Sequence, residues 1–250
     1  MIMMDGGDIP ISATPVRKVI RRSSAISNGT FRTYKHPSKA ASFVPGESNN
    51  ELAFLPFAEM DPSVTLILAQ PTVLETTHEG KVVSHVPDYA ILLSGRRTFV
   101  EAKGARAFAD PKLRRRLDAF ALAAARGGWD YLVVVGSDLM SSPARRHVDS
   151  LWRSHRRIYD EAQLVAVTNL LHSRAMPIGE AVDILRASMA DAAPEARHIL
   201  SMAAGNRILI DVEQATSVGS DSVVRLLTAN NRPATFIPFV KPPFATEDGR

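Results

Sequence analysis

The chain has 250 residues, of which 45% are hydrophobic and 22% charged, a composition typical of a globular protein with one large domain or two small ones. The sequence contains no cysteine, which excludes disulfides, thiolate zinc sites and cysteine nucleophiles. No stretch approaches the roughly 20 apolar residues that span a bilayer, and the acidic segment 1–8 does not resemble a signal peptide. We therefore expect a cytoplasmic protein without a membrane partner.

The positive charge is clustered along the chain. The net charge is +4 and the sequence pI is near 9.6, an excess that solubility alone explains. The basic residues between positions 96 and 116 are Arg96, Arg97, Lys103, Arg106, Lys112, Arg114, Arg115 and Arg116. Glu101 and Asp110 are the acidic residues of this stretch, so its pattern is that of a surface that follows a phosphate backbone.

The N-terminal part predicts little regular structure before residue 48. Residues 1–27 are predicted to be a flexible arm, followed by a short strand near 30–32. The run Ser48-Asn49-Asn50 offers good N-cap residues for a helix with an apolar side. Pro56 is expected to displace or kink the start of this helix, which ends at Asp61-Pro62-Ser63.

A mixed sheet flanked by helices is predicted for residues 28–160, which we assign to one α/β domain. Apolar and β-branched runs predict strands at 64–68, 81–86, 89–93 and 98–102. The last two of these strands are joined by a hairpin turn at 94–97. Pro111 opens a helix that continues to about residue 126. The continuous apolar run 131–135 is typical of a strand buried on both faces.

The sequence changes in character after residue 160. A further helix is predicted at about 144–160, and three short helical patterns follow, at 163–172, 178–189 and 194–204. A strand is predicted next, at 207–212. We expect residues 161–230 to form a small, mostly helical, winged-helix-like domain. The proline-rich residues 231–250 are predicted to form a mobile tail.

The residues that are best suited to chemistry lie on the predicted hairpin. Glu101 and Lys103 are two apart on one strand and therefore point to the same face, and the hairpin brings Asp88 close to Glu101. The two carboxylates are hard oxygen ligands for a divalent metal, and the Ala102 backbone carbonyl is a further candidate ligand. Lys103 is expected to orient an attacking water and to offset developing negative charge. Glu51, on the preceding helix, is a candidate to complete the ligand set.

This order of residues resembles a known nuclease family. Pro87-Asp88 followed by Glu101-x-Lys103, after a helix that carries Glu51, is similar to the core of the PD-(D/E)XK nucleases. Further segments are similar to TnsA-type transposon endonucleases: Gly29-Thr30-Phe31, Glu47-Ser48-Asn49-Asn50-Glu51-Leu52, Glu59-Met60-Asp61-Pro62-Ser63-Val64 and Ala69-Gln70-Pro71. The resemblance covers about residues 28 to 140.

The resemblance implies a restriction-endonuclease-like fold and an endonuclease that cuts double-stranded DNA at the 5′ ends of a transposon. It implies Mg²⁺ or Mn²⁺ as cofactor and Glu51, Asp88, Glu101 and Lys103 as catalytic residues. It also implies a DDE-type transposase subunit as partner and a winged-helix domain that contacts an ATPase transposition regulator, with activity at a prokaryotic nucleoid. The C-terminal half departs from the family pattern beyond its helical layout, which leaves the partner contacts open.

Several of these residues also have ordinary structural interpretations. Glu51 lies in the first turn of a helix, where the helix dipole favours a carboxylate. Gln70 matches a family position near the active site, but Gln70-Pro71 also suits the end of a strand. The candidate DNA-binding residues, whose alternative is a solvated helix face, are Arg106, Lys112, Arg115 and Arg116. His85 is close to Asp88 in the sequence, but the pattern does not determine its direction.

Two other functions fit the same sequence. One is a stand-alone restriction or repair nuclease of the same fold, which would nick arbitrary duplex DNA without a partner. The other is a non-catalytic assembly subunit of a DNA-processing complex, in which metal binding would be absent. The joint presence of Asp88, Glu101 and Lys103 favours a catalytic site, because a degenerate site is free to lose them.

Overall fold

The computed structural model describes residues 9–17, 29–38, 43–189, 192–211, 218–228 and 233–245. The chain divides into two compact units. The first contains Met1–Glu59, Ser63–Ser142 and Thr235–Arg250, and the second contains Met60–Pro62 and Pro143–Ala234. None of the described helices is both long and apolar enough to cross a membrane.

The first unit is built around a five-stranded mixed sheet. Its elements are β1 (Gly29–Arg32), β2 (Phe43–Gly46), α1 (Asn49–Met60), β3 (Val64–Ala69), β4 (Leu74–His78), β5 (Lys81–His85), β6 (Tyr89–Leu93), β7 (Arg96–Lys103), α2 (Ala105–Phe108), α3 (Pro111–Arg126), β8 (Asp130–Val135), α4 (Gly136–Ser141) and β12 (Phe239–Val240). The order of strands in the main sheet is β12-β8-β7-β6-β3. The pair β7 and β8 is parallel, and the other neighbouring pairs are antiparallel. The predicted α/β architecture, a mixed sheet flanked by helices, is therefore confirmed.

The alternation of side chains along each strand gives the sheet two buried faces. On one face, Phe99 and Tyr131 belong to a core cluster with Leu117 and Phe120 of α3. This helix begins at Pro111, as predicted, with its first turn capped by the Asp110 side chain. Because parallel strands need a crossover, α3 also carries the chain from β7 back to the start of β8.

A hairpin outside the main sheet was only half predicted. β4 and β5 pair with each other in a separate two-stranded sheet, and the turn between them places Glu79 and Gly80 at positive φ. The sequence predicted the second strand but not the first, because residues 74–78 carry the mostly polar run Leu-Glu-Thr-Thr-His. Leu74 is 3% exposed and packs with the α3 cluster, which anchors this hairpin to the helix.

Residues 233–245 differ from the mobile tail predicted at 231–250, and the remainder of that range lies outside the described residues. Residues 239–240 form β12, which pairs with Val133 and Val134 of β8 at the edge of the main sheet. Asp118 on α3 accepts hydrogen bonds from the backbone N–H groups of Phe244 at 2.6 Å and Ala245 at 2.9 Å. The prolines suggested a chain without contacts, but the Phe244 ring is 3% exposed in the core cluster.

Part of the predicted N-terminal arm also packs on the first unit. The described residues of the arm are 9–17, and the remainder of 1–27 lies outside the described residues. Ser12 N donates to Pro71 O at 2.8 Å, and Val16 N donates to Gln70 O at 3.0 Å. Ile11 is 4% exposed and joins the core cluster. These contacts tie the arm to the segment that follows β3.

The second unit combines helices with a small antiparallel sheet. Its elements are α5 (Arg145–Arg153), α6 (Glu161–Leu171), β9 (Met176–Pro177), α7 (Ile178–Met189), α8 (Ala196–Ala204), β10 (Ile208–Ile210) and β11 (Val223–Leu226). The sheet order is β10-β11-β9. The helix predicted at 144–160 is shorter, and the main segment of the unit begins at Pro143 instead of at the predicted boundary after residue 160.

Candidate active site

Asp88 lies where the ladder between β6 and β7 ends. Tyr89 pairs with Val100, and the preceding Pro87 has no N–H with which to extend the ladder. The Asp88 side chain instead accepts a hydrogen bond from Ala102 N at 2.9 Å. A second bond, from Gln70 N to Asp88 O at 2.8 Å, holds the main chain. Asp88 is thereby fixed beside the last residues of β7 and is 7% exposed.

The structure brings Asp88, Glu101 and Lys103 together, as the sequence predicts. Glu101 is 1% exposed, and its Oε1 accepts a hydrogen bond from the Lys103 ammonium. The same ammonium lies 3.9 Å from Asp88 Oδ2. Lys103 Nζ is therefore in contact with both carboxylates, and its side chain keeps 25% of its surface exposed to solvent.

The two carboxylates respond oppositely to this environment. Burial raises the pKa of Asp88 well above its usual value, and the negative charge of Glu101 adds to the rise. Burial also opposes ionisation of Glu101, but the positive charge of Lys103 and the hydrogen bond from His85 outweigh it and lower the pKa to about 2. Burial disfavours the Lys103 ammonium, but Glu101 and Asp88 outweigh that effect and raise its pKa. Both carboxylates therefore favour the ammonium form of Lys103, which donates a hydrogen bond to Glu101.

Glu51 has a different place from the other predicted catalytic residues. Its Oε2 accepts from Glu47 N at 3.0 Å, and its Oε1 accepts from Ser48 Oγ at 2.9 Å. Both oxygens therefore bind the two residues that precede α1, and Glu51 lies in the first turn of that helix, where the helix dipole favours a carboxylate. Burial raises the Glu51 pKa, which the nearby charge of Lys103 partly offsets. The hydrogen bonds of the Glu51 side chain go to neither Asp88 nor Glu101, although its negative charge adds to the rise in the Asp88 pKa.

Gln70 contributes its backbone to the site but not its side chain. The residue is 2% exposed and has φ 45°, a left-handed conformation that ends β3. With the amide oriented to satisfy both of its atoms, Nε2 donates to Arg17 O at 3.1 Å and Oε1 accepts from Arg17 Nη2 at 3.0 Å. The side chain thus secures the N-terminal arm.

The basic residues beside the site separate into two groups. Within the described part of the chain, no ion pair is formed by any of the exposed DNA-binding candidates: Arg106, Lys112, Arg115 and Arg116. The Arg116 guanidinium lies 5.7 Å from the centre of the Phe120 ring, and its Nη2 is 3.4 Å from Ser84 O. Arg114 turns to the other side of α3, where Nη1 donates to Phe244 O at 3.4 Å.

Two residues at the site were not predicted. His85 Nε2 donates to Glu101 Oε2 at 2.8 Å, and the Tyr131 hydroxyl donates to the same oxygen at 3.2 Å. The sequence signal for His85 was its closeness to Asp88, which leaves its direction open. Tyr131 was assigned to a buried strand, and its aromatic ring is indeed buried, but no pattern indicated that its hydroxyl reaches a carboxylate.

The oxygen donors of the site suit a small divalent cation. Mg²⁺ is usually held by one or two carboxylates, with water and substrate phosphates completing its ligands. Asp88 and Glu101 supply such a pair, and the Lys103 cation between them shows that positive charge is favourable at this position. Among the described residues, no group of three or more acidic or histidine side chains is arranged to hold a metal. A metal here therefore needs the Ala102 carbonyl, water or substrate in addition.

Comparison with known proteins adds no assignment. The chain matches no protein-family model, and no curated protein matches it.

Proposed function

We propose that this chain is a Mg²⁺- or Mn²⁺-dependent DNA endonuclease. The observation that carries the proposal is the buried Asp88–Glu101 pair with the Lys103 ammonium between the two carboxylates. Two carboxyl groups buried beside each other are costly, because burial and mutual repulsion oppose their ionisation, and ionisable groups perturbed in this way cluster at functional sites. Exposed cations on α2 and α3, close to this site in sequence, supply the positive surface that a DNA backbone requires.

We further propose a restriction-endonuclease-like fold for the first unit and a winged-helix fold for the second. The first unit begins its main sheet with α1 followed by the antiparallel strands β3, β6 and β7. The crossover helix α3 and the parallel strand β8 come next, and the β4–β5 hairpin is inserted between β3 and β6. In the second unit, two helices are followed by a strand, two further helices and two strands, and β11 lies between β9 and β10 in the sheet. Both orders support the folds that the sequence resemblance implies.

In the proposed mechanism, Asp88, Glu101 and the Ala102 carbonyl would hold the metal. When bound, Mg²⁺ would offset charge on the scissile phosphate and favour ionisation of the attacking water. Lys103 donates hydrogen bonds through its ammonium, orients the attacking water and offsets the charge that develops on phosphate oxygens. Glu51 holds the start of α1 beside the site and contributes negative charge from there.

We propose that the endonuclease is one subunit of a heteromeric transposase, with a DDE-type subunit cutting the other strand. The support for this is the resemblance to TnsA-type endonucleases over about residues 28 to 140. The second unit is then the candidate contact for an ATPase regulator. A stand-alone nuclease of the same fold is distinguished by its independence of any partner.

The test is Mg²⁺-dependent cleavage of DNA that carries the transposon ends, with and without the transposase encoded beside this gene. Asp88→Ala and Lys103→Ala are each expected to lower cleavage by about 10²-fold or more, while DNA association and circular dichroism persist. Lys81→Ala, at an exposed lysine of β5, is the matched control and should cleave normally. Full cleavage by both site variants would overturn the assignment, and partner-free nicking of arbitrary duplex would favour the stand-alone nuclease.

A further inference from the structure

The two oxygens of Glu101 lie in different surroundings. Oε1 accepts from the Lys103 ammonium, which lies 3.9 Å from Asp88 Oδ2. Oε2 accepts from His85 Nε2 at 2.8 Å and from the Tyr131 hydroxyl at 3.2 Å. Because an ionised carboxylate only accepts hydrogen bonds, both groups act as donors. Oε2 is therefore bound by two aromatic side chains outside the Asp88–Lys103 pair, whereas Oε1 shares the Lys103 ammonium with Asp88.

His85 reaches Glu101 from a different sheet. It ends β5 and pairs with Leu74, whose burial fixes the hairpin backbone at this point. The imidazole ring lies 4.9 Å from the Phe120 ring of α3, with 37° between the ring planes. The ring is therefore held on two sides, by the hairpin and by the helix, with its Nε2 at the carboxylate.

Tyr131 reaches the same oxygen from within the main sheet. Its ring is 2% exposed on β8, and the edge of the Phe244 ring packs against it at a centroid distance of 6.4 Å. A buried phenol needs a hydrogen-bond partner, and the nearest β7 residues on the same face are Phe99 and Glu101. The partner that the fold offers is thus the carboxylate of the candidate site.

We propose that His85 and Tyr131 are positioning residues that hold Oε2 of Glu101 and so direct Oε1 toward the metal. The inference rests on the proposed nuclease function and assigns to neither residue a contact with metal or DNA. Hydrogen-bonded partners of metal ligands commonly change metal affinity by about 10–100-fold when they are removed. The two donors act on one atom, so each is expected to contribute.

The test is calorimetric titration of the full chain with Mn²⁺ alone, which gives a dissociation constant independently of cleavage. His85→Leu and Tyr131→Phe are each expected to weaken Mn²⁺ binding by about tenfold or more, whereas His85→Gln, which keeps a donor, recovers most of the affinity. His78→Leu is the matched control, because His78 lies on the same hairpin with a side chain 20% exposed, against 21% for His85. The His78→Leu variant should bind Mn²⁺ with the same affinity as the unsubstituted chain.

Asp88→Asn separates failure of this inference from failure of the proposed function. If it abolishes Mn²⁺ binding while His85→Leu and Tyr131→Phe bind as tightly as the unsubstituted chain, the positioning roles are wrong and the metal site stands. Equal weakening by His78→Leu and His85→Leu would also overturn the role of His85. If the unsubstituted chain binds no Mn²⁺, both the proposed metal site and the positioning roles of His85 and Tyr131 are wrong. Should His85→Leu fail to fold by circular dichroism, Tyr131→Phe and His85→Gln decide the outcome.

Discussion

At the residue scale, Asp88 and Glu101 are two buried carboxylates in opposite electrostatic states. Glu101 accepts hydrogen bonds from Lys103, His85 and Tyr131, so its charge is compensated despite its burial. Asp88 accepts one bond from Ala102 N and lies farther from the Lys103 ammonium. Ionisation is therefore favoured at Glu101 and disfavoured at Asp88, where a second cation would be needed to stabilise the negative charge. A divalent metal would serve as that cation, which is the physical link between the local electrostatics and the proposed chemistry.

Asp88→Asn is expected to stabilise the metal-free protein at neutral pH. The amide keeps an oxygen for Ala102 N and removes a carboxyl group whose ionisation is opposed by burial, which should raise the free energy of unfolding by roughly 0.5–2 kcal/mol. Glu101→Gln is the paired variant, and it should lower that free energy by roughly 2–4 kcal/mol because it breaks a buried ion pair. Denaturant unfolding in the presence of a chelator measures both. If both variants change the free energy of unfolding in the same direction, the opposite pKa shifts of Asp88 and Glu101 are contradicted.

The advantage of Asp88→Asn is also expected to depend on pH. The pKa of Asp88 is raised above its ordinary value of 3.8, so the folded state favours the neutral acid, and its ionisation destabilises the fold as pH rises through the folded-state pKa. The gain from asparagine should be small near about pH 4 and larger near about pH 8. Glu101, with its pKa lowered to about 2, behaves oppositely: its stabilising contribution is present above its ordinary value of 4.5 and is lost as pH falls toward 2. A stability gain from Asp88→Asn that shrinks with rising pH would contradict the raised pKa of Asp88.

At the scale of elements, the C-terminal segment acts as part of the sheet and core of the first unit. β12 covers the edge of β8, and Asp118 of α3 fixes the backbone at Phe244 and Ala245. The Phe244 ring packs between Phe108 and Tyr131, with centroid distances of 6.1 Å and 6.4 Å. Because Tyr131 also contacts Glu101, this remote segment supports the candidate site.

Phe244→Ala is expected to lower the free energy of unfolding by about 3–5 kcal/mol, since it removes a buried aromatic ring and leaves a cavity. Phe43→Ala is the control at a side chain that is 59% exposed, and it should change stability by less than about 0.5 kcal/mol. Chemical denaturation of both variants measures the difference. Equal stabilities would mean that the segment is not part of the folded core.

At the scale of the whole molecule, the first unit is discontinuous in sequence and the positive charge is unevenly distributed. The chain leaves the first unit after Ser142 and returns at Thr235, so most of the second unit is inserted between α4 and β12. The exposed cations of α2 and α3 belong to the first unit. We therefore expect the electrostatic part of DNA binding to depend mainly on the unit that holds the candidate site.

Arg115→Ala is expected to weaken duplex binding for all sequences and to reduce the slope of log K against log salt by about 1, as the loss of one phosphate contact requires. Arg126→Ala, at the opposite end of the same helix and also exposed, is the matched control and should leave the slope unchanged. Binding measured by fluorescence anisotropy over a range of salt concentrations gives both values. An unchanged slope for Arg115→Ala would place DNA elsewhere on the protein.

The sequence alone determined the elements that build the main sheet and three residues of the candidate site. Strands β3, β6, β7 and β8 and the helix α3 are visible because local periodicity and Pro111 do not depend on distant contacts. Asp88, Glu101 and Lys103 were predictable together because strand alternation and a hairpin are local geometry. The chemical proposal for these residues comes from their types and their order along the chain.

The tertiary structure decided which side chains surround those residues. His85 reaches Glu101 because its hairpin packs on α3, and Tyr131 reaches Glu101 because a crossover places β8 beside β7. The local sequence pattern predicts neither arrangement. The same applies to β12, whose pairing joins residues more than a hundred positions apart in the chain. Glu51 was placed on the correct helix, but the structure decided that its oxygens bind the residues preceding that helix, Glu47 and Ser48. Side-chain direction and long-range pairing depend on packing between elements, which a single sequence does not encode in its local pattern.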